Sequence, residues 1–273
     1  MFTHRGRASG DGSSGERSSS AGRLVAAILT GAALMLTAAA CESAEGARGS
    51  NGDESAAETD DESSTDEVDE SAKNTGVRRM DEAPEGLKRA TFAGGCFWCM
   101  EPPFEKLDGV KAVVSGYTGG EAKHPTYKQV SSGNTDHAEA VRIHYDPEVV
   151  SYEKLLRVFW QNIDPTAEGR QFVDVGSQYR TAIFYHSERQ KKLAEESKEE
   201  LAKNGPFDEQ IVTPIQEASA FWRAENYHQD FYKKSPGRYK SYRNGSGRDA
   251  FIEKHWSDLD PDDVWGELSD GNE

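Results

Sequence analysis

A short apolar run, Ala90 to Ala93, meets two glycines and then two cysteines in Gly94-Gly95-Cys96-Phe97-Trp98-Cys99. That junction restricts what the chain can fold into more than any other stretch. Residues 88–93 read as a strand. Phe97, Trp98, Phe104 and Leu107 follow at helical spacing, which predicts a helix over 96–107 ending at Asp108-Gly109. The two glycines permit a tight strand-to-helix turn. Cys96 then falls at or near the first helical turn, where unpaired backbone N–H groups and the helix dipole favour a thiolate. Cys99 returns to the same side about one turn later, within reach of Cys96. The chemistry suggested is a nucleophilic thiol, a partner thiol and an apolar pocket walled by Phe97 and Trp98.

The third and last cysteine is Cys41. One close pair in the folded part is not a disulfide framework, and a domain of residues 87–273 can bury its own core without covalent staples. The pair reads as chemical. A zinc site is disfavoured, because His124, His137, His144, His186 and His228 show no paired metal spacing beside the two cysteines. No phosphate loop or dinucleotide fingerprint is present.

Further along, Val110 to Tyr117 reads as a strand that stops at the glycine-rich turn Gly116-Tyr117-Thr118-Gly119-Gly120. Residues 121–135 read as a loop. Ala138 to Tyr145 alternates most cleanly and predicts a strand, and Tyr152 to Asn162 has helical spacing. Gly169 to Gln178 reads as a loop, Tyr179 to Tyr185 as a strand, and Ser187 to Lys203 as a charged surface helix capped by Asn204-Gly205. Ile211 to Ala218 contains Pro214, so an edge strand is expected. Residues 221–243 are aromatic and basic, with short helical pieces. Strands alternating with helices give an α+β (α/β layered) domain, a compact mixed sheet flanked by helices.

The front of the chain has another character. Residues 1–40 combine Arg5, Arg7, Arg17 and Arg23 with the uncharged run Leu24 to Ala40, the pattern of a secretory signal peptide. That run is short for a membrane span of about 20 residues. Cys41 after three alanines resembles a bacterial lipoprotein signal, in which the cysteine is lipidated, although Ala38 stands where Leu is usual. An ordinary cleaved signal and an uncleaved anchor remain the alternatives. Residues 41–86 hold 15 Asp/Glu against 4 Lys/Arg and almost no large apolar side chain, so they read as a disordered acidic tether. Most of the net charge of −16 lies there, which argues against a nucleic-acid partner and for a solvated spacer. The expected organisation is therefore a signal over 1–40, a linker over 41–86, a catalytic domain over 87–244 and a polar acidic tail over 245–273.

Five motifs occur in order: Gly94-Gly95-Cys96-Phe97-Trp98, Gly116-Tyr117-Thr118-Gly119-Gly120, His137-Ala138-Glu139-Ala140-Val141, Tyr145-Asp146-Pro147 and Gly176-Ser177-Gln178-Tyr179-Arg180. From about residue 88 to about 240 the chain closely resembles the A-type peptide methionine sulfoxide reductases. The resemblance implies reduction of the S epimer of methionine sulfoxide, free or in proteins, with no cofactor and no metal. Cys96 matches the nucleophile and Glu139 the acid that protonates the sulfoxide oxygen. Such a carboxyl needs a raised pKa and hence burial. Tyr117 and Tyr179 match phenols that hydrogen-bond that oxygen. Phe97 and Trp98 match the walls that receive the S-methyl group. Asp174 and His228 correspond to further pocket residues. No cysteine follows Cys99, so Cys99 is expected to attack the Cys96 sulfenic acid and close a disulfide, which a thioredoxin-like reductant reopens. A monomer is expected, exported to the cell envelope, touching the membrane only through a lipid on Cys41, and repairing oxidised envelope proteins.

Two other readings stay open on the residues alone. A thioredoxin-like disulfide oxidoreductase would also use Cys-x-x-Cys after a strand, with Thr213-Pro214 before an edge strand. It leaves Glu139 and the two tyrosines unexplained. A non-catalytic lipoprotein binding module would use the aromatics as a ligand platform and leave Cys96 without a task.

Overall fold

The computed structural model describes residues 77–80 and 82–266. The expected signal peptide, Cys41 and the linker up to residue 76 lie outside the described residues.

The strands are β1 (Arg78–Arg79), β2 (Lys88–Gly94), β3 (Val110–Thr118), β4 (Ala138–Tyr145), β5 (Arg170–Gln171), β6 (Asp174–Val175), β7 (Thr181–Tyr185), β8 (Ile215–Glu217) and β9 (Trp222–Arg223). Seven form one sheet in the order β1-β9-β3-β4-β2-β7-β8, and β5 and β6 form a small hairpin. All pairs are antiparallel except β7 with β8, so the sheet is mixed. The short β8 lies at the edge and begins only after Pro214, so residues 211–214 of the expected strand fall outside it.

Helix α1 (Phe97–Glu105) follows β2 directly, and α3 (Tyr152–Gln161) packs beside it. Phe92 on β2 stacks against Phe104 of α1 (5.6 Å between ring centroids) and Phe159 of α3 (4.9 Å). This aromatic seam fixes the helix pair on one face of the sheet. A helix α4 (Glu188–Asn204) covers the flank, capped at its start by the Ser187 hydroxyl accepting from the Gln190 amide.

β4 is buried along its whole length, charged residues included. Its alternation is therefore not core against solvent. Val141, Ile143 and Tyr145 face the main core, and Glu139 shares their parity. Ala138 and Ala140 face the smaller cluster on the opposite side, where the Arg142 guanidinium lies 4.3 Å over the Phe221 ring.

Four expectations change. The loop over 121–135 contains a short helix, α2 (Tyr127–Ser131), and Thr126 with Gln129 forms a reciprocal capping box at its start. The loop over 169–178 holds the β5–β6 hairpin and the start of a 3-10 turn, Ser177–Tyr179. Folded structure also continues past the boundary drawn at residue 244. After α5 (Phe231–Lys234) and α6 (Pro236–Gly245) come α7 (Arg248–Trp256) and α8 (Pro261–Trp265). Arg248, Trp256 and Val264 are buried, and Trp265 stacks on Trp256 while its indole N–H donates to the Ser197 carbonyl of α4 at 3.1 Å. At the other end, Val77 is buried and β1 pairs with β9, so ordered structure begins inside the stretch read as linker.

Candidate active site

Gly94 and Gly95 make the turn between β2 and α1. Gly95 has φ +81°, and a Cβ there would sit 2.6 Å from the Gln171 Cβ, so a side chain is excluded on two grounds. Cys96 is the residue immediately before α1, and Cys99 lies in its first turn with its amide donating to the Cys96 carbonyl at 3.0 Å. Both thiols are buried and unbridged, and they hydrogen-bond to each other.

The helix terminus does not make Cys96 a thiolate, contrary to the sequence expectation. Burial pushes the Cys96 thiol well above its ordinary value, and its hydrogen bond to Cys99 and the nearby Glu139 push the same way. Cys99 is lowered to about 7, first by accepting that hydrogen bond, and then by the Arg248 and Arg243 guanidiniums against the opposing effect of burial.

Glu139 reaches this turn from β4. Its Oε2 accepts from the Phe97 amide at 3.1 Å. Burial nevertheless raises the carboxyl to about 8, and Asp174 adds to the rise. It therefore carries a proton at neutral pH, as an acid catalyst must. Tyr127 and Tyr179 lie within electrostatic reach of Glu139 and Cys96, and burial raises both phenols, Tyr127 to about 12. Neither hydroxyl has a protein hydrogen-bond partner among the described residues, which leaves both available to a ligand.

Tyr117 is differently engaged. It pairs across the sheet with Glu139, but its hydroxyl donates to Glu225 Oε2 at 2.7 Å. In this conformation its proton is committed to a protein carboxylate. Glu225 also accepts from the Tyr127 amide at 2.8 Å. Asp174 is half-buried on β6 and accepts from the Tyr242 hydroxyl, which also contacts Cys96.

Phe97 is buried and Trp98 half-buried. Trp98 stacks on Phe231 with ring centroids 3.8 Å apart, and its indole N–H donates to His228 Nδ1 at 3.0 Å. An indole N–H can only donate, so Nδ1 accepts and the imidazole proton sits on Nε2. Burial lowers His228 to about 4, keeping it neutral. It stands behind Phe97 and Trp98 as their support, enclosed by Tyr127 and Tyr227.

The pattern that defines "Peptide methionine sulfoxide reductase" matches residues 88–260. The chain belongs to the peptide methionine sulfoxide reductase family. This reductase is 58% identical over 172 residues to the peptide methionine sulfoxide reductase MsrA of Bacillus licheniformis, covering 63% of this chain and 95% of that protein. Identity to the Bacillus subtilis protein of the same name is 59% over 167 residues, 61% of this chain and 94% of that one. Among solved structures, Mxr1 from Saccharomyces cerevisiae in reduced form superimposes with a TM-score of 0.54 at 33% identity, covering 57% of this chain and 90% of that chain. Membership removes the disulfide oxidoreductase and the binding module as primary readings of the reductase.

The structure thus brings Cys96, Cys99, Glu139, Tyr179, Asp174, Phe97 and Trp98 around one turn, and sets Tyr117 and His228 one layer behind it. Sequence reasoning missed Glu225, Tyr127, Tyr242, Arg243 and Arg248. The capping box at Thr126 was a readable signal that Tyr127 begins a helix. The others approach from segments more than 100 residues away with no local pattern to mark them.

Proposed function

We propose that this chain reduces the S epimer of methionine sulfoxide, free or within proteins, to methionine. The observation that carries this reading is Glu139: a buried carboxyl raised to about 8, held by the Phe97 amide beside the Cys96 thiol. An acid and a sulfur nucleophile side by side, with an apolar wall of Phe97 and Trp98, suit a substrate whose oxygen needs a proton while its sulfur is attacked.

Cys96 sulfur attacks the sulfoxide sulfur, and Glu139 gives its proton to the oxygen. Tyr179 and Tyr127 supply hydroxyl donors to that oxygen, and the S-methyl group rests against Phe97 and Trp98. Methionine leaves and the oxygen remains on Cys96 as a sulfenic acid. Cys99 then attacks Cys96, the hydroxyl departs as water, and a Cys96–Cys99 disulfide closes. A dithiol protein of the thioredoxin type reopens it. The protein acts as a monomer.

Residues 1–40 direct export and Cys41 carries the lipid, so the catalytic domain works at the cell envelope. The basic N-terminal region, the apolar run and the small residues before Cys41 support this address.

The deciding experiment is turnover of the two sulfoxide epimers with dithiothreitol. Wild type should consume only the S epimer and Cys96→Ser neither. Turnover by Cys96→Ser, or of neither epimer by wild type, would end the reading. For the address, Cys41→Ser should move the protein from the membrane fraction to the soluble fraction.

A further inference from the structure

The β5–β6 hairpin has an inner and an outer face. Its cross-strand pairs are Arg170↔Val175 and Gln171↔Asp174. The two residues of a pair lie on one face, and the next pair lies on the other. Gln171 is buried and Asp174 half-buried, whereas Arg170 and Val175 are exposed. The inner face therefore carries Asp174, whose Oδ2 accepts from the Tyr242 hydroxyl that contacts Cys96. Tyr179 follows on the next turn. The outer face meets solvent with apolar groups: Val175 is 68% exposed and Val173, in the turn, 56%.

The backbone of β6 is paired on one side only. The Gly176 amide donates to the Gly169 carbonyl at 2.9 Å. Hydrogen-bonded and non-hydrogen-bonded pairs alternate along an antiparallel ladder, so the amide and carbonyl of Val175 point out of the hairpin, away from β5. Among the described residues no group pairs with either. The edge is also firmly held. The Gln171 side chain accepts from the Asp164 amide at 2.9 Å and donates to the Asp164 carbonyl at 2.7 Å. Phe172 in the turn meets Phe251 of α7 edge-on, with ring centroids 5.3 Å apart, and the Arg248 guanidinium lies 4.6 Å over the Phe172 ring. An edge fixed in advance needs little further ordering when a partner strand arrives.

We propose that the outer edge of β6 receives the polypeptide carrying the oxidised methionine as an added strand, through main-chain hydrogen bonds to Val175. This rests on the reductase reading and names the substrate form that the site favours, an extended segment over the free amino acid. The period of two sets the register. The residue beside Asp174 points with it into the site, and that residue is the methionine sulfoxide. Its neighbours point outward, and the one beside Val175 packs on the exposed isopropyl group. Main-chain pairing asks for no particular sequence, so methionines in many contexts can be taken. A methionine inside a helix cannot pair there until its helix opens, because the helical amides are already engaged.

Two measurements test this on the full chain. A short blocked peptide with a central methionine S-sulfoxide is compared with copies N-methylated at one flanking residue at a time. Each methyl group removes one amide donor. In wild type one methylated position should raise KM roughly 3- to 10-fold with kcat held, while the position next to it, whose amide points away from β6, changes little. Val175→Pro deletes the outward amide and leaves the bonds to β5 in place. It should raise the peptide KM by a similar factor and leave turnover of free methionine sulfoxide as it was. If no methylated position raises KM, if all positions do so alike, or if Val175→Pro leaves the peptide KM unchanged, the inference is overturned. An equal loss on peptide and free sulfoxide in Val175→Pro would mark a displaced Asp174, and the methylation series on wild type then decides alone. Failure of wild type to reduce either substrate would instead bring down the reductase reading and this inference with it.

Discussion

Glu139 works only while it holds its proton, and its carboxyl is raised to about 8 by burial. Turnover should accordingly fall as pH rises through about 8, and that limb should vanish in a Glu139→Gln variant whose rate is about 10²–10⁴ lower. A steady-state pH profile of both proteins checks this. Glu225 is tied to the site from behind, accepting from the Tyr117 hydroxyl and the Tyr127 amide. Glu225→Ala leaves a buried phenol without a partner and should cost about 1–3 kcal/mol in urea unfolding, with Glu225→Gln recovering much of it. At this scale Cys96, Glu139 and Tyr179 were legible because each sits inside a compact motif. The ionisation of Cys96 was not. It depends on burial, on the hydrogen bond to Cys99 and on Glu139, which reaches the turn from β4. Tyr117 was placed on the right strand, but its hydroxyl partner lies 108 residues away, and nothing local foretells it.

Among the elements, β2, α1, β3, β4, α3 and α4 were readable because each carries its own periodicity or its own glycine punctuation. The two-residue strands β1 and β9 carry no period at all and exist only through pairing with each other and with β3. β4 shows that alternation along a strand need not separate core from solvent. Its polar residues are buried with the rest, because Glu139 serves the site and Arg142 packs on Phe221. The turn between β2 and α1 is the element on which the chemistry depends most. Gly95→Ala would force a side chain into a φ of +81° and against Gln171, whose amide holds the Asp164 loop. A loss of about 1–3 kcal/mol is expected in denaturant melts, together with a lower rate, since Cys96 would shift with the turn.

For the molecule as a whole, the acidic interior sets an alkaline limit on stability. Glu101 is fully buried, with Oε1 accepting from the Asp230 amide and Oε2 unpartnered, and burial raises it to about 8. The folded chain keeps this proton up to about pH 8, whereas an unfolded chain releases it near 4.5. Its contribution is complete below about pH 4.5 and is lost as pH rises through about 8. Glu101→Gln, which mimics the protonated acid, should raise the melting temperature above about pH 8 by an amount worth about 1–3 kcal/mol and leave it unchanged below about 4.5. His186 acts at the other end. Burial lowers it to about 3, so stability falls as pH drops from about 6.5 toward that value.

The chain reaches this domain from its N-terminal side through β1, held by the pairs Arg78↔Arg223 and Arg79↔Trp222 and by the buried Val77. Under tension from that side, those two pairs are the first to carry the load and the weakest in the sheet. Peeling them would strip β9 of its outer neighbour, and β9 leads straight into Glu225 and His228, the residues that brace Tyr117 and Trp98. Pulling in an optical trap should show a small early extension before the main unfolding event, absent once residues 77–80 are deleted. A single unfolding step in the intact protein would show that β1 bears no load of its own. In that sense the sheet edge is a mechanical coupling, through which force on the N-terminal side would reach the substrate pocket before the core yields.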